Sequence, residues 1–115
     1  MAESILEKRK HPRVTIVVQV TALSNGVMQT CLSNDISTGG MFLETKEPFD
    51  VGELLKLEFS LPDISWLFNL KAEVVRIVMD EPERKEIIIA GMGVKFLEID
   101  QESEKLIKDF IRDTE

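Results

Sequence analysis

The sequence has little of what builds disulfides, metal sites or membrane spans. Its 115 residues include one cysteine, Cys31, and one histidine, His11, so neither an internal disulfide nor a cluster of Cys and His ligands can form within the chain. No apolar run approaches the ~18 residues that a membrane-spanning helix needs, and residues 1–10 lack the apolar centre of a signal peptide. We therefore expect a cytoplasmic protein without membrane insertion, in which Cys31 is a small apolar residue of a strand.

Catalytic groups are equally scarce. A Ser-His-Asp arrangement would have to use His11, which stands between Lys10 and Pro12 in a predicted loop. No paired acids or His/Cys clusters have the spacing of a metal site. The sequence predicts a binding protein, not an enzyme, with no cofactor and no metal.

The charge is acidic overall but unevenly spread. A net charge of −7 argues against DNA or RNA as a partner. Lys8, Arg9, Lys10 and Arg13 nevertheless place four positive charges within six residues that carry no acid. Such a compact cluster suits a small anion better than a long one, although a solvated basic tail would show the same pattern.

The length and residue pattern predict one domain preceded by a flexible leader. Residues 1–13 form the leader, because Pro12 disfavours a helix there, and residues 14–115 form the domain. β-branched and alternating apolar segments predict strands, and Asn25-Gly26 predicts a tight hairpin. Asp100 is a good N-cap for a helix over residues 100–114. The predicted strands are 14–23, 27–33, 41–45, 54–61, 67–79 and 91–99, with 87–90 leading into the last.

The alternation also predicts which side chains face the core. Six or seven short strands and one terminal helix imply a small antiparallel β-barrel, which leaves no exposed strand edge. Four methionines are expected to fill strand interiors. The predicted core residues are Leu55, Leu57, Phe59 and Leu61 on one strand, Met28, Met41, Met79 and Met92 as fillers, and Leu106, Ile107, Phe110 and Ile111 on the helix.

The segment from Asn34 to Leu43 combines short polar side chains with two glycines. If it is extended, Asp35 and Ser37 point to the same face. Gly39 and Gly40 then remove side-chain bulk, so that the backbone can bend or a flat ligand can lie close. A β-turn or bulge between two strands would use the same residue types.

Two motifs together resemble the PilZ domain family. Arg9 and Arg13 form R-x-x-x-R, and Asp35, Ser37 and Gly40 form D-x-S-x-x-G one hairpin later. The segment from Gly91 to Phe96, followed by a terminal helix, is also similar to that family. The resemblance covers residues 7–112 and implies a PilZ-like split barrel.

The resemblance implies that the protein binds cyclic di-GMP. The residues carried over from the two motifs are Arg9, Arg13, Asp35, Ser37 and Gly40, and further candidates for the same site are Lys8, Gly39 and Arg76. In such a protein the arginine segment would become ordered on the ligand, and the changed surface would act on a downstream protein target. The ligand stoichiometry and a homodimeric state are left open.

The residue types suit that ligand. An arginine fork matches O6 and N7 of guanine or two phosphate oxygens, and its planar face can stack on a purine. A carboxylate can accept from the guanine N1–H and N2–H₂ edge, a serine hydroxyl can bond phosphate or a base edge, and Gly40 would give the base room.

An alternative function is a protein-interaction adaptor that keeps the barrel and binds no nucleotide. It requires an exposed apolar patch, which the sequence would place around Trp66, Leu67 and Phe68.

Overall fold

The computed structural model describes residues 14–79 and 89–114, which form six β-strands and one α-helix. The segments follow the predicted order, and the Asn25-Gly26 turn has positive φ angles of 50° and 80° at its two residues, as a tight hairpin requires. The elements are β1 (Val14–Ser24), β2 (Val27–Ile36), β3 (Gly40–Glu44), β4 (Leu54–Phe59), β5 (Phe68–Val78), β6 (Gly91–Leu97) and α1 (Gln101–Thr114).

The six strands close into one antiparallel barrel in the order β1-β2-β3-β6-β5-β4. Closure comes from β4, which pairs with β1 along the register from Val20–Phe59 to Leu23–Lys56. The β-barrel with a single C-terminal helix is therefore confirmed. Among the residues described, no helix is both long and apolar enough to cross a membrane.

The core is built by alternation along the strands. Leu55, Leu57, Phe59 and Leu61 all point inward, as predicted, although β4 itself ends at Phe59. The Phe59 ring stacks on that of Phe68, with centroids 5.0 Å apart. Burying a side chain of this size contributes about 1.5–3 kcal/mol, so this inner layer accounts for much of the stability.

The helix covers the core with its apolar stripe. Ile107 and Ile111 are buried, and Leu106 and Phe110 pack against them partly buried. Asp100 is the N-cap: its Oδ2 accepts a hydrogen bond of 2.9 Å from the amide of Ser103. That bond, together with one from the Ser103 hydroxyl, holds the pKa of Asp100 below its ordinary value of 3.8.

Two predictions about individual side chains are wrong. Met41 and Met92 are buried, but Met28 is 68% and Met79 54% exposed. Met28 pairs with Leu23 on the outer face beside the hairpin turn, and Met79 follows the end of β5.

The apolar patch required by the adaptor hypothesis is also incomplete. Leu67 is exposed, whereas Phe68 is fully buried. Trp66 donates from Nε1 to the Ser103 hydroxyl at 3.3 Å, which ties it to the helix.

Three register shifts interrupt the ladder. They lie in β1 between Thr15 and Val18, in β2 between Ser33 and Asp35, and in β5 between Val74 and Arg76. In each case one strand has an extra residue, which marks a β-bulge that changes the direction of the following side chains. The first two lie beside the Thr15–Asp35 pair, and the third lies on β5 beside Arg76.

Candidate functional site

The loop from β2 to β3 is held in shape by Ser37. Its hydroxyl donates to the carbonyl of Gly40 and accepts from the amides of Gly39 and Gly40, each at 3.2 Å. The amide of Ser37 also donates to the Gly40 carbonyl at 2.9 Å. Ser37 is 4% exposed. Because these bonds all join Ser37 to Gly39 or Gly40, they shape the turn that follows Asp35.

Asp35 lies on the outer face beside this turn. Its Oδ1 accepts a 3.2 Å hydrogen bond from the amide of Phe42 on β3, and its carbonyl accepts a 2.6 Å bond from the hydroxyl of Ser33. The β2 bulge lies between Ser33 and Asp35, so the Ser33 contact spans it. The carboxylate is half-buried and is fixed in position against β3.

Gly40 is required by strand packing. A Cβ at this position would lie 2.1 Å from the carbonyl oxygen of Val94 and 3.1 Å from the Cα of Lys95. Both are backbone atoms of β6, which pairs with β3 at this point. The direction in which a side chain would point is therefore occupied by the neighbouring strand, and the two strands approach closely because the residue is glycine.

Asp35 belongs to one row of residues across the outer wall. Thr15 pairs with Asp35, Asp35 with Phe42, Phe42 with Gly93, and Gly93 with Arg76. Paired residues of an antiparallel sheet point to the same face. The row therefore places a carboxylate on β2 and a guanidinium on β5, with an aromatic ring and a glycine between them. Strands lie about 4.8 Å apart, so three strand spacings separate Asp35 from Arg76 by about 14 Å along the wall.

The side chain of Arg76 reaches back over Phe42, the middle residue of this row. Its Cζ is 5.6 Å from the centroid of the Phe42 ring, a cation–π distance. A Cβ on Gly93 would be 3.2 Å from Arg76 Nε, so the glycine lets the guanidinium approach the sheet. The structure thus brings Arg76, a further candidate from the sequence, into the same row as Asp35.

Phe42 and Gly93 were missed as site residues by sequence reasoning. The signal for Gly93 was its spacing from Gly91. Residues i and i+2 of a strand point to the same face, so two glycines at this spacing leave that face without side chains. Phe42 gave no such signal, since an aromatic residue after two glycines predicts a core strand equally well.

Lys8, Arg9 and Arg13, together with His11, lie outside the described residues. What the structure gives is the point where that segment joins the barrel. Val14, the first residue of β1, pairs with Ile36, immediately before Ser37. Within residues 14–79 and 89–114, no group of three or more His, Cys, Asp and Glu could hold a metal ion.

Comparison with known families identifies this architecture. The model of the PilZ domain matches residues 7–113. The chain belongs to the PilZ domain family. The match includes the segment with Arg9 and Arg13 and ends close to the end of α1, so it spans nearly the whole sequence.

Solved structures with the same fold include three of known ligand or role. The inhibitor of motility MotI/DgrA of Bacillus subtilis superposes with a TM-score of 0.75 at 23% identity, over 92% of this chain and 50% of that one. The PilZ domain of YcgR from Escherichia coli with c-di-GMP gives 0.71 at 18% identity, over 93% and 91%. The K. pneumonia MrkH–c-di-GMP complex gives 0.70 at 20% identity, over 92% and 51%.

The chain thus has about the length of the isolated YcgR domain and spans about half of MotI and of MrkH. At these identities the superpositions establish the fold. No curated protein gives a significant match to the sequence.

Proposed function

We propose that this PilZ protein is a receptor for cyclic di-GMP, which binds on the outer barrel wall and is not chemically changed there. The observation that carries the proposal is the row from Asp35 to Arg76, which starts beside the residue where the arginine segment enters the barrel. Membership of the PilZ family and the c-di-GMP complexes of YcgR and MrkH support the choice of ligand.

Chain connectivity allows both motif arginines to reach this row. Arg13 is bonded directly to Val14, whose Cα partner is Ile36. Arg9 lies five residues before Val14, and an extended chain spans at most about 3.6 Å per residue, or roughly 18 Å. That length is comparable to the distance from Asp35 to Arg76 along the wall, so Arg9 can contact a ligand lying on any part of the row.

The row offers groups that fit the two guanines and two phosphodiesters of the ligand. Carboxylate oxygens accept from the N1–H and N2–H₂ edge of guanine, and arginine forks match either its O6 and N7 or phosphate oxygens. Arg76 is exposed and is held beside the Phe42 ring, so its planar guanidinium can also stack on a base.

The role of the D-x-S-x-x-G motif in this proposal is mainly to build the wall. Ser37 closes the turn and Gly40 allows β3 to approach β6, and together they fix Asp35 beside the ligand. Contacts to the ligand then come chiefly from Asp35, the arginines and Arg76.

Signalling would follow from the arginine segment closing over the ligand. A segment that changes its contacts on binding presents a new surface to a partner protein. Since β1 begins at Val14, closure would be transmitted first to the Val14–Ile36 pair.

Isothermal titration calorimetry of the full chain with cyclic di-GMP tests the proposal. We expect saturable heat, with GTP and cyclic di-AMP as controls that respectively lack the second guanine and the guanine edge. Repeating the titration at two protein concentrations reveals ligand-linked dimerisation. The absence of heat, and of competition with a labelled cyclic di-GMP, at tens of micromolar would refute the proposal.

A further inference from the structure

A cavity lies on another part of the barrel. Its volume is about 360 Å³, and its lining includes Leu23, Leu54, Leu55, Lys56, Lys71 and Leu97. The tip of the β1–β2 hairpin closes one side through Ser24, Asn25 and Gly26. None of these residues belongs to the row from Thr15 to Arg76, so the cavity is separate from the proposed nucleotide site.

Two lysines stand side by side at this cavity. Lys56 on β4 and Lys71 on β5 are direct cross-strand partners, and both are exposed. Like charges directly opposite each other in a sheet are destabilising. Lys71 approaches Glu98 at 3.6 Å, but both side chains of that pair are largely exposed, at 65% and 80%, so it is a weak ion pair. Lys56 has no ion pair with any residue in the described part of the chain.

Aliphatic side chains form the rest of the lining. Leu54 is 65% and Leu23 38% exposed, and Leu97 is half-buried. Leu55 and Ala72 are buried. They form the next cross-strand pair, between the pairs Leu54–Glu73 and Lys56–Lys71. The exposed leucines that line the cavity are in contact with water, and their apolar surface is buried only when a ligand occupies the cavity.

We propose that this cavity binds a small amphipathic anion: an aliphatic chain that ends in a carboxylate or a phosphate. The volume lies at the lower end of the ~300–1,000 Å³ range of small-molecule sites. The leucines would cover the chain, and the negative head group would lie between Lys56 and Lys71 and relieve their repulsion. The net charge of the whole protein is −7, so an anion is attracted only where basic side chains stand together, as Lys56 and Lys71 do at this cavity. The proposal does not depend on cyclic di-GMP binding.

Titration of the ¹⁵N-labelled full chain with four ten-carbon probes below their micelle concentrations tests the proposal. The probes are decanoate, decyl phosphate, decanol and decyltrimethylammonium. We expect amide shifts at Leu54, Lys56, Lys71 and Ala72 with at least one of the two anions, and weaker binding of decanol and decyltrimethylammonium. Whichever anion binds more tightly identifies the head group as carboxylate or phosphate. No shift at these amides with either anion, or equal affinity for decanol, overturns the proposal.

Substitutions distinguish the cavity from non-specific adsorption. Exposed ion pairs contribute about 0.2–1 kcal/mol, so Lys56→Ala and Lys71→Ala should each weaken anion binding up to about 5-fold. Leu54→Glu, at an exposed position, should weaken it further by repulsion. Lys105→Ala, at an exposed lysine of α1 outside the cavity, is the matched control and should bind as the unmodified chain does. Equal affinity in all four variants, each with unchanged thermal unfolding, would refute the assignment.

Discussion

The guanidinium of Arg76 lies over the ring of Phe42, with Cζ 5.6 Å from the ring centroid. The two residues come from β5 and β3, and only Gly93 of β6 stands between them in the register. A larger residue at position 93 would displace the arginine, because its Cβ would lie 3.2 Å from Arg76 Nε. Residues of three strands, β3, β5 and β6, thus hold the guanidinium of Arg76 against the barrel wall.

This contact predicts that Phe42 acts on the ligand through Arg76. Phe42→Leu keeps an apolar side chain but removes the aromatic face, and cation–π contacts at exposed sites contribute about 0.5–1 kcal/mol. We expect cyclic di-GMP binding to weaken roughly 2- to 5-fold in calorimetry.

Arg76→Ala should weaken this binding at least as much, and in the Arg76→Ala background Phe42→Leu should have no further effect. Val51→Ala, at an exposed loop residue outside the row, is the control. Additive losses in the double variant would show that Phe42 does not act through Arg76.

Removing either motif arginine should weaken cyclic di-GMP binding more strongly. A bidentate arginine contact contributes about 1–3 kcal/mol, so Arg9→Ala and Arg13→Ala should each lower the affinity by roughly 5- to 150-fold. Arg9→Lys and Arg13→Lys retain the charge but not the planar fork and should recover only part of the loss. Arg112→Ala on α1 is the matched control. Unchanged affinity in both alanine variants would remove the arginine clamp from the proposal.

Gly40→Ala should destabilise the β3–β6 pairing before it affects any ligand contact. The new Cβ would meet the Val94 carbonyl at 2.1 Å, and because that atom is backbone, no side-chain rotation relieves the overlap. Overpacking of this kind costs about 1–3 kcal/mol. We expect a lower melting temperature and faster hydrogen exchange at the Phe96 amide, which donates to Gly39 O at 2.9 Å.

Gly52→Ala provides the comparison for that experiment. Its Cβ would have no atom within 4 Å, and its φ of 92° makes the substitution strained only locally. It should lower stability without changing exchange at Phe96. If Gly40→Ala left Phe96 protected, the close approach of the two strands would not be the reason for glycine at this position.

The N-cap predicts a specific pH dependence of stability. Hydrogen bonds from the Ser103 amide, and then from its hydroxyl, lower the pKa of Asp100 from 3.8. A carboxyl with a lower pKa in the folded state stabilises the fold above its unfolded pKa, and this contribution is lost as the pH falls through the folded value. Asn is also a good N-cap but does not titrate. The difference in unfolding free energy between the native chain and Asp100→Asn, measured by urea denaturation, should therefore shrink below about pH 3.8. A constant difference between pH 7 and pH 2.5 would contradict the assignment.

Periodicity predicted the strands well because most of them have one buried face. The segment from Leu54 to Phe59 alternates without interruption, and its inward residues were identified correctly. Met28 and Met79 were misplaced because their residue type, not their position in the alternation, decided the prediction. An apolar side chain beside a hairpin turn or just past a strand end can lie on either face.

The bulges explain why the candidate site was predicted only in part. The motif spacing singled out Asp35, Ser37 and Gly40 as candidates, and the contacts of Ser37 and Gly40 show that these two residues build the loop and the strand pairing. The row that links Asp35 to Arg76 depends on the register across four strands and on the shifts at Ser33/Asp35 and Val74/Arg76. Register between distant strands is set by packing of the whole barrel and leaves no local signal in the sequence.

Closure of the barrel limits how another protein can recognise this one. Every described strand has a hydrogen-bonded neighbour on both sides, since β4 returns to β1. Backbone pairing with a strand of a partner is therefore restricted to stretches that have no neighbour in the described ladder, such as residues 14–19 of β1 on the side of β4 and residues 27–31 of β2 on the side of β3. Over the rest of the barrel, recognition relies on the shape and charge of exposed side chains, so that a single substitution on the exterior can abolish one association while the fold persists.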